Sequence, residues 1–212
     1  MKKHFFILLI AITFSSFGQN SKSDSSKNSY FSVKAGFNLI NTSNYDGGHH
    51  LNFGYQIGGT IVIPMSSKFS FQPELLIQSI GASTKYTNIY SNGTTSEENK
   101  YRNVYMQFPL DFKYTITNKV GVEFGPNISV ALSSKKVFHG EYNLDGTLTT
   151  YDNSYNNMSN LKKLGFGFNI GTNYDITSNV YTGLRYTLMI GNNINQIMDN
   201  SILAFSIGYN FK

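Results

Sequence analysis

The sequence predicts an all-β fold, an eight-stranded antiparallel up-and-down transmembrane β-barrel, and three observations lead there. The first is the stretch Val104–Leu132. Its alternate residues are Val104, Met106, Phe108, Leu110, Phe112, Tyr114 and Ile116, then Val120, Val122, Phe124, Pro126, Ile128, Val130 and Leu132. Successive side chains of a strand point to opposite faces, so each arm has one continuous apolar face and one polar or small face. A membrane-crossing strand needs about 9 to 11 tilted residues of this kind. The second is the spacing of connections, which are by turns short and long. The third is composition: 14% charged residues against about 25% in an average soluble protein, with 15% aromatic.

Taken in order, Met1–Gly18 carries Lys2 and Lys3, an apolar run from Phe5 to Phe14 and a small-residue end. This is the pattern of a secretory signal peptide, with cleavage expected before Gln19. The apolar run is too short for a membrane helix, which needs about 20 residues. Residues 19–29 are Ser-, Lys- and Asn-rich and read as a flexible lead-in. Residues 30–212 are the predicted barrel.

Strand one alternates Phe31, Val33, Ala35, Phe37 and Leu39 with Ser32, Lys34, Gly36 and Asn38. After a polar loop at 41–50, strand two sets Leu51, Phe53, Tyr55, Ile57, Ile61 and Ile63 against Asn52, Gly54, Gln56, Gly58 and Thr60. A tight turn, Pro64–Lys68, leads to Phe69, Phe71, Pro73, Leu75 and Ile77, alternating with Ser70, Gln72, Glu74 and Gln78. Residues 82–102 lack apolar alternation and read as a long polar loop before the Val104–Leu132 hairpin, whose turn is Thr117-Asn118-Lys119. Residues 133–163 read as the longest loop. Strand six places Phe166, Phe168 and Ile170 opposite Gly167, Asn169, Gly171 and Asn173. A turn near Asp175–Asn179 leads to strand seven, with Leu184, Tyr186 and Leu188 opposite Gly183, Arg185 and Thr187. After a loop at 191–200, strand eight carries Leu203, Phe205, Ile207, Tyr209 and Phe211.

Every short connection therefore falls at one end and every long one at the other, as in a barrel with short periplasmic turns and longer outer loops. Phe31, Phe69, Phe71, Tyr114, Tyr174, Tyr209 and Phe211 gather near the short-turn end as an expected aromatic girdle. The inward glycines, among them Gly36, Gly54, Gly58, Gly125, Gly171 and Gly208, suit a narrow interior.

Other function classes find little support. Basic residues are scattered, with Lys135-Lys136 and Lys162-Lys163 the only adjacent pairs beyond the signal, so there is no basic stripe for nucleic acid. The absence of cysteine excludes a disulfide framework and a lipid-modified N-terminal cysteine.

Gln72-Pro73-Glu74-Leu75-Leu76 with Gly81, Val104-Tyr105-Met106-Gln107-Phe108-Pro109-Leu110 with Lys113-Tyr114, Gly125-Pro126 and Gly183-Leu184-Arg185-Tyr186 resemble the outer-membrane β-barrel domain family of PorT-like and small porin-like proteins. The resemblance covers the chain from about Tyr30 and implies an outer-membrane barrel. Where that family commonly has a carboxylate before the Phe-Pro step, this chain has Gln107, and it adds Asp111. No secretion role is carried over.

Five inward-facing charges form the candidate site, a lumen charge network of Glu74, Asp111, Lys113, Glu123 and Arg185. An eight-stranded barrel is just wide enough for its own side chains, so these charges are expected to pair and plug the lumen. Arg185 is the only inward arginine and should bond Glu74, Asp111 or Glu123. His49-His50, beside Asp46, lack a spacing that fixes metal geometry. His139, near Glu141, is the only residue placed for Ser/His/Asp chemistry at the bilayer rim, and nothing near it signals a nucleophile. No catalytic residue, metal or cofactor is expected. The expected role is a non-enzymatic barrel of the cell outer membrane, structural or for surface recognition. The alternatives are a lipid-modifying enzyme, a narrow pore, or a secretion-system accessory barrel. Expected partners are outer-membrane lipid, the barrel-assembly machinery during insertion, and a surface ligand reached through the Tyr-, Asn- and Ser-rich loops, with no nucleic acid.

Overall fold

The structure, a computed structural model, describes residues 28–43, 49–91, 93–144, 147–160, 163–190 and 201–212. The expected signal peptide, most of the lead-in, and the loop segments 44–48 and 191–200 lie outside them. Among the described residues there are nine strands: β1 Tyr30–Ser43, β2 His49–Pro64, β3 Phe69–Tyr90, β4 Gly93–Thr115, β5 Val120–Leu144, β6 Thr147–Asn156, β7 Leu164–Asp175, β8 Val180–Ile190 and β9 Ser201–Phe211. All pairings are antiparallel. They run β1–β2–β3–β4–β5–β7–β8–β9, and β9 pairs back onto β1 through Phe31↔Phe211 to Ile40↔Ile202. Eight strands thus close a ring.

β6 is the ninth strand and lies outside that ring. One edge of β5 is divided between two partners: Val120–Val130 pairs with β7, and Lys135–Leu144 pairs with β6. The reading of 82–102 and 133–163 as loops is corrected here. β3 and β4 continue through the first region as one hairpin, pairing down to Tyr90↔Gly93, and β5 and β6 fill most of the second. Together they make a four-stranded extension. The apolar alternation used to find strands stops at residue 82 because it reports contact with the hydrocarbon of the bilayer, and the strands continue without an apolar face beyond that point. Thr and Tyr remain good strand formers without it. Cross-strand pairs then hold the extension: Tyr142 and Tyr151 stack edge-on at 5.7 Å, and the Tyr142 hydroxyl donates to Glu97 at 3.1 Å. Lys136 sits over the Tyr101 and Tyr155 rings at 5.5 and 5.7 Å.

A bulge marks the junction. Val104 faces Ser133 and Tyr105 faces Ala131, so Leu132 is an extra residue on β5. Below it the odd-numbered residues of β5 point inward; above it Ser134, Lys136 and Gly140 do. Such bulges recur at barrel rims, where they increase twist.

The three short turns share one device. In Met65–Lys68, Ile116–Lys119 and Ile176–Asn179 the second residue is Ser66, Thr117 or Thr177. Its hydroxyl accepts from the backbone N–H two and three residues on, at 2.9 to 3.4 Å. These Ser/Thr turns satisfy backbone donors that no ladder reaches.

The outward rows are apolar and exposed, including Phe37, Ile57, Phe166, Leu188 and Ile207. Near the short turns the aromatics pair across strands: Phe69 with Tyr114 at 4.9 Å, Phe71 with Phe112 at 5.1 Å, and Tyr209 with Phe211 at 4.9 Å. Inside, glycines let strands approach. A Cβ on Gly36 would fall against the Phe205 carbonyl and 2.8 Å from Ser206 Cα, both backbone. At Gly81, which faces outward beside Arg102, the nearest atom would be 3.4 Å away.

Two substitutions should separate these cases. Gly36→Val is expected to overpack the β1–β9 seam and cost about 1–3 kcal/mol, whereas Gly81→Ala should stay within about 0.5 kcal/mol. The urea midpoint of the heat-modifiable band in detergent measures both.

Candidate functional site

Strand registers carry four charged residues to one depth in the lumen. Arg185 on β8 lies opposite Gly171 on β7 and Ala204 on β9, and Gly171 in turn lies opposite Glu123 on β5. With no side chain at Gly171, the arginine reaches across β7. A Cβ there would sit 2.9 Å from Glu123 Oε1 and 2.8 Å from the Leu184 carbonyl. Gly125 does the same for Asp111, whose Oδ1 would lie 2.8 Å from an added Cβ. On the other side Lys34 is flanked by Gly58 and Gly208, which leaves its stem a path to β3.

The guanidinium is the hub. Arg185 Nε donates to Glu123 Oε1 at 2.6 Å, Nη1 to Glu74 Oε2 at 2.7 Å, and Nη2 to Glu74 Oε1 at 2.9 Å and Asp111 Oδ2 at 2.8 Å. Lys34 Nζ adds a second cation on Glu74, at 2.8 and 2.6 Å from its two oxygens. Neutral donors complete the set. Asn173 donates to Glu123 Oε2 at 2.7 Å, Asn169 donates to Asp111 Oδ1 at 3.1 Å, and Thr187 donates to Asn169 Oδ1 at 2.9 Å. Arg185 is 6% exposed and Asp111 0%, so these charges exchange hydration for one another, the condition under which a buried pair is tolerated.

Of the five residues singled out in the sequence, four meet at this point and Lys113 does not. It is half-buried and faces Glu123 across the β4–β5 ladder, but its stem lies over Gly121 toward the short-turn mouth, and among the described residues it makes no ion pair. Lys34 takes the place expected of it. Its position on the inward face of strand one was readable, but which inward lysine reaches the carboxylates depends on strand stagger, which periodicity does not supply. The carboxylate oxygens of Glu74, Asp111 and Glu123 lie within 4.8 Å of one another, close enough for a shared cation. The guanidinium already provides that charge.

Two further layers bracket the network. Toward the extension, Ile40, Ile80, Tyr105, Ala131, Met189 and Ile202 form an apolar cluster inside the lumen, with Met158 packed against it. The sequence reading stopped one residue short of Ile40 and Ile202 and passed over Ile80. Continuing the period-two count would have reached all three. Toward the short turns lies a cavity of about 20 Å³ lined by Lys34, Glu74, Glu123, Tyr181 and neighbours, room for about one water. Tyr181 covers Gly208 from across the ladder, and its hydroxyl accepts from Ser32 at 3.2 Å.

His139 lies outside the ring, on the outward side of the extension. Its Nδ1 is 2.6 Å from Asp152 Oδ1 and its Nε2 is 3.3 Å from Glu141 Oε1. Both ring nitrogens therefore meet carboxylates, and no hydroxyl occupies Nε2. The bond to Asp152, then that to Glu141, raises the His139 pKa above its ordinary value. His49 and His50 open β2, and Asp46 lies outside the described residues.

Residues 17–195 match the family described as outer membrane protein beta-barrel domain. No curated protein matches the chain. Among solved structures, Ail, the attachment invasion locus protein of Yersinia pestis, is 12% identical over 87% of this chain and 99% of its own, with a TM-score of 0.44. Neisserial surface protein A is 14% identical over 87% and 98%, with a TM-score of 0.45. The outer membrane protein OprG from Pseudomonas aeruginosa is 12% identical over 87% and 97%, with a TM-score of 0.35.

Removing the hub should be costly. Arg185→Ala leaves three carboxylates facing one lysine and is expected to cost about 3–5 kcal/mol, read as a lowered urea midpoint, with part recovered when Glu123→Gln is added. His139 supplies a pH test. A folded pKa above the unfolded one gives a contribution that is complete below about pH 6.5 and is lost as pH rises through the folded value. In a titration followed by NMR, Asp152→Asn should bring the His139 midpoint down toward the ordinary value.

Proposed function

Because the chain belongs to the outer-membrane β-barrel domain family, we propose that it is a non-enzymatic outer-membrane barrel with a closed lumen that displays its β3–β6 extension at the cell surface for a structural or recognition role. The observation that carries this reading is the stacked lumen filling. The Arg185 network spans from β3 through β4 and β5 to β8, and the Ile40–Tyr105–Met189 cluster lies directly over it. Ion passage through the ring would require opening two layers with opposed chemistry, one held by charge and one by apolar contact.

Orientation follows from the same reasoning that applies to the family. The short Ser/Thr turns face the periplasm, to which the expected N-terminal signal delivers the chain, and the barrel-assembly machinery inserts it from that side. The extension then projects outward. Its inner side is rich in tyrosine, with Tyr101, Tyr142, Tyr151 and Tyr155 among polar neighbours. Tyrosine offers large contact area at small entropic cost, and such a surface suits recognition.

In planar bilayers the purified protein is expected to give no stable single-channel steps, and Arg185→Ala to give at most brief, small openings because the apolar layer remains. Large, stable steps from the unmutated protein would favour the narrow-pore reading.

A further inference from the structure

Above the apolar band, the outward side of the extension is sorted by charge. The registers define its rows. The first row over Val104 and Leu132 places Arg102 on β4 directly opposite Lys135 on β5, with Gly81 on the far side of Arg102. The second row adds Lys100. Carboxylates begin only in the third, where Lys85, Glu98, His139 and Asp152 are register partners. Those carboxylates are already engaged: Glu98 by Lys100 at 2.9 Å, and Asp152 by His139.

Arg102 and Lys135 are thus two exposed cations facing each other across a ladder. Among the described residues neither has an ion-pair partner, since every salt bridge lies elsewhere. Like charges directly opposite in an antiparallel pair destabilise it. The chain offers no counter-charge, so one must come from outside. The height of the pair identifies the source. It stands directly above the outward Val104 and Leu132 and one row below the outward Val137, at the edge of the continuous outward apolar rows, the level where lipid headgroups meet the hydrocarbon.

We propose that Arg102 and Lys135 form a clamp for a phosphate group on an outer-leaflet lipid. The arginine fork suits the planar, bidentate geometry of phosphate oxygens, and the lysine contributes a compact charge beside it. Gly81, bare of side chain, keeps the third side of Arg102 open for the headgroup. Lys100 holds Glu98 one row further out, so that its carboxylate does not compete. The clamp rests on the orientation argued above, with the extension on the cell exterior.

The test uses the full chain in mixed micelles, titrated with bisphosphorylated lipid A and with the same lipid after enzymatic dephosphorylation, binding being followed by native mass spectrometry. The unmutated protein should prefer the phosphorylated lipid. Arg102→Gln with Lys135→Gln should lose on the order of fivefold in affinity per cation, some 25-fold together, while keeping the heat-modifiable band of a folded barrel. Lys119→Gln, in a short turn, should keep the preference. Equal binding of both lipids by the unmutated protein would overturn the clamp. So would a preference that survives the double substitution, or one abolished by millimolar inorganic phosphate alone. Orientation is read separately, by trypsin on intact cells: cleavage at Lys85 or Lys100 supports the extension's outward placement, and it does not bear on lipid preference measured in micelles.

Discussion

The pairing of β9 back onto β1 is the constraint on which the rest of this structure depends. In hydrocarbon an unpaired backbone N–H or carbonyl costs several kcal/mol, so a sheet can cross only when it has no free edge. Ring closure from Phe31↔Phe211 to Ile40↔Ile202 removes that edge through the bilayer. Where the chain rises beyond the lipid the constraint lapses. There β6 pairs, among the described residues, on one edge only, and β5 exchanges its β7 partner for β6, with the bulge at Leu132 between the two regimes.

Closing only eight strands makes the interior narrow, and narrowness dictates its chemistry. Gly171 and Gly125 are absent side chains through which Arg185 and Asp111 gain room, so the charge network depends on glycine as much as on charge. A guanidinium is the cation that can serve three carboxylates at once, because its donors diverge in a plane. Lys34 then adds its ammonium to Glu74 from β1. The network thereby ties β1, β3, β4, β5 and β8 together across the lumen, adding to the cross-lumen contacts of the apolar cluster above it.

The extension follows different rules. Its strands carry no apolar face, and they are held by backbone ladders, tyrosine pairs and the placement of Lys136 between two rings. On the outward side the only charges in the first two rows are cations, and carboxylates enter in the third, where Glu98 and Asp152 stand beside Lys85 and His139. Both features arise from leaving the bilayer without leaving the β ladder.

The sequence by itself determined the eight ring strands, which residues face lipid, and which charges face inward. Those properties follow from a side-chain period of two meeting a solvent that admits only apolar groups, and Phe205, Ile207 and Tyr209 opposite Ala204, Ser206 and Gly208 are as legible in one dimension as in three. Tertiary structure decided what depends on stagger between strands. That Arg185 meets Glu74, Asp111 and Glu123 together, that Lys34 rather than Lys113 joins them, and that Ile40, Ile80 and Ile202 close into one layer all require the registers across seams distant in sequence. The continuation of β3, β4 and β5 beyond the membrane was hidden for a related reason. Hydrophobic alternation is written by the lipid, and where the lipid ends a strand persists through its backbone bonds, which leave little trace in the pattern of side chains.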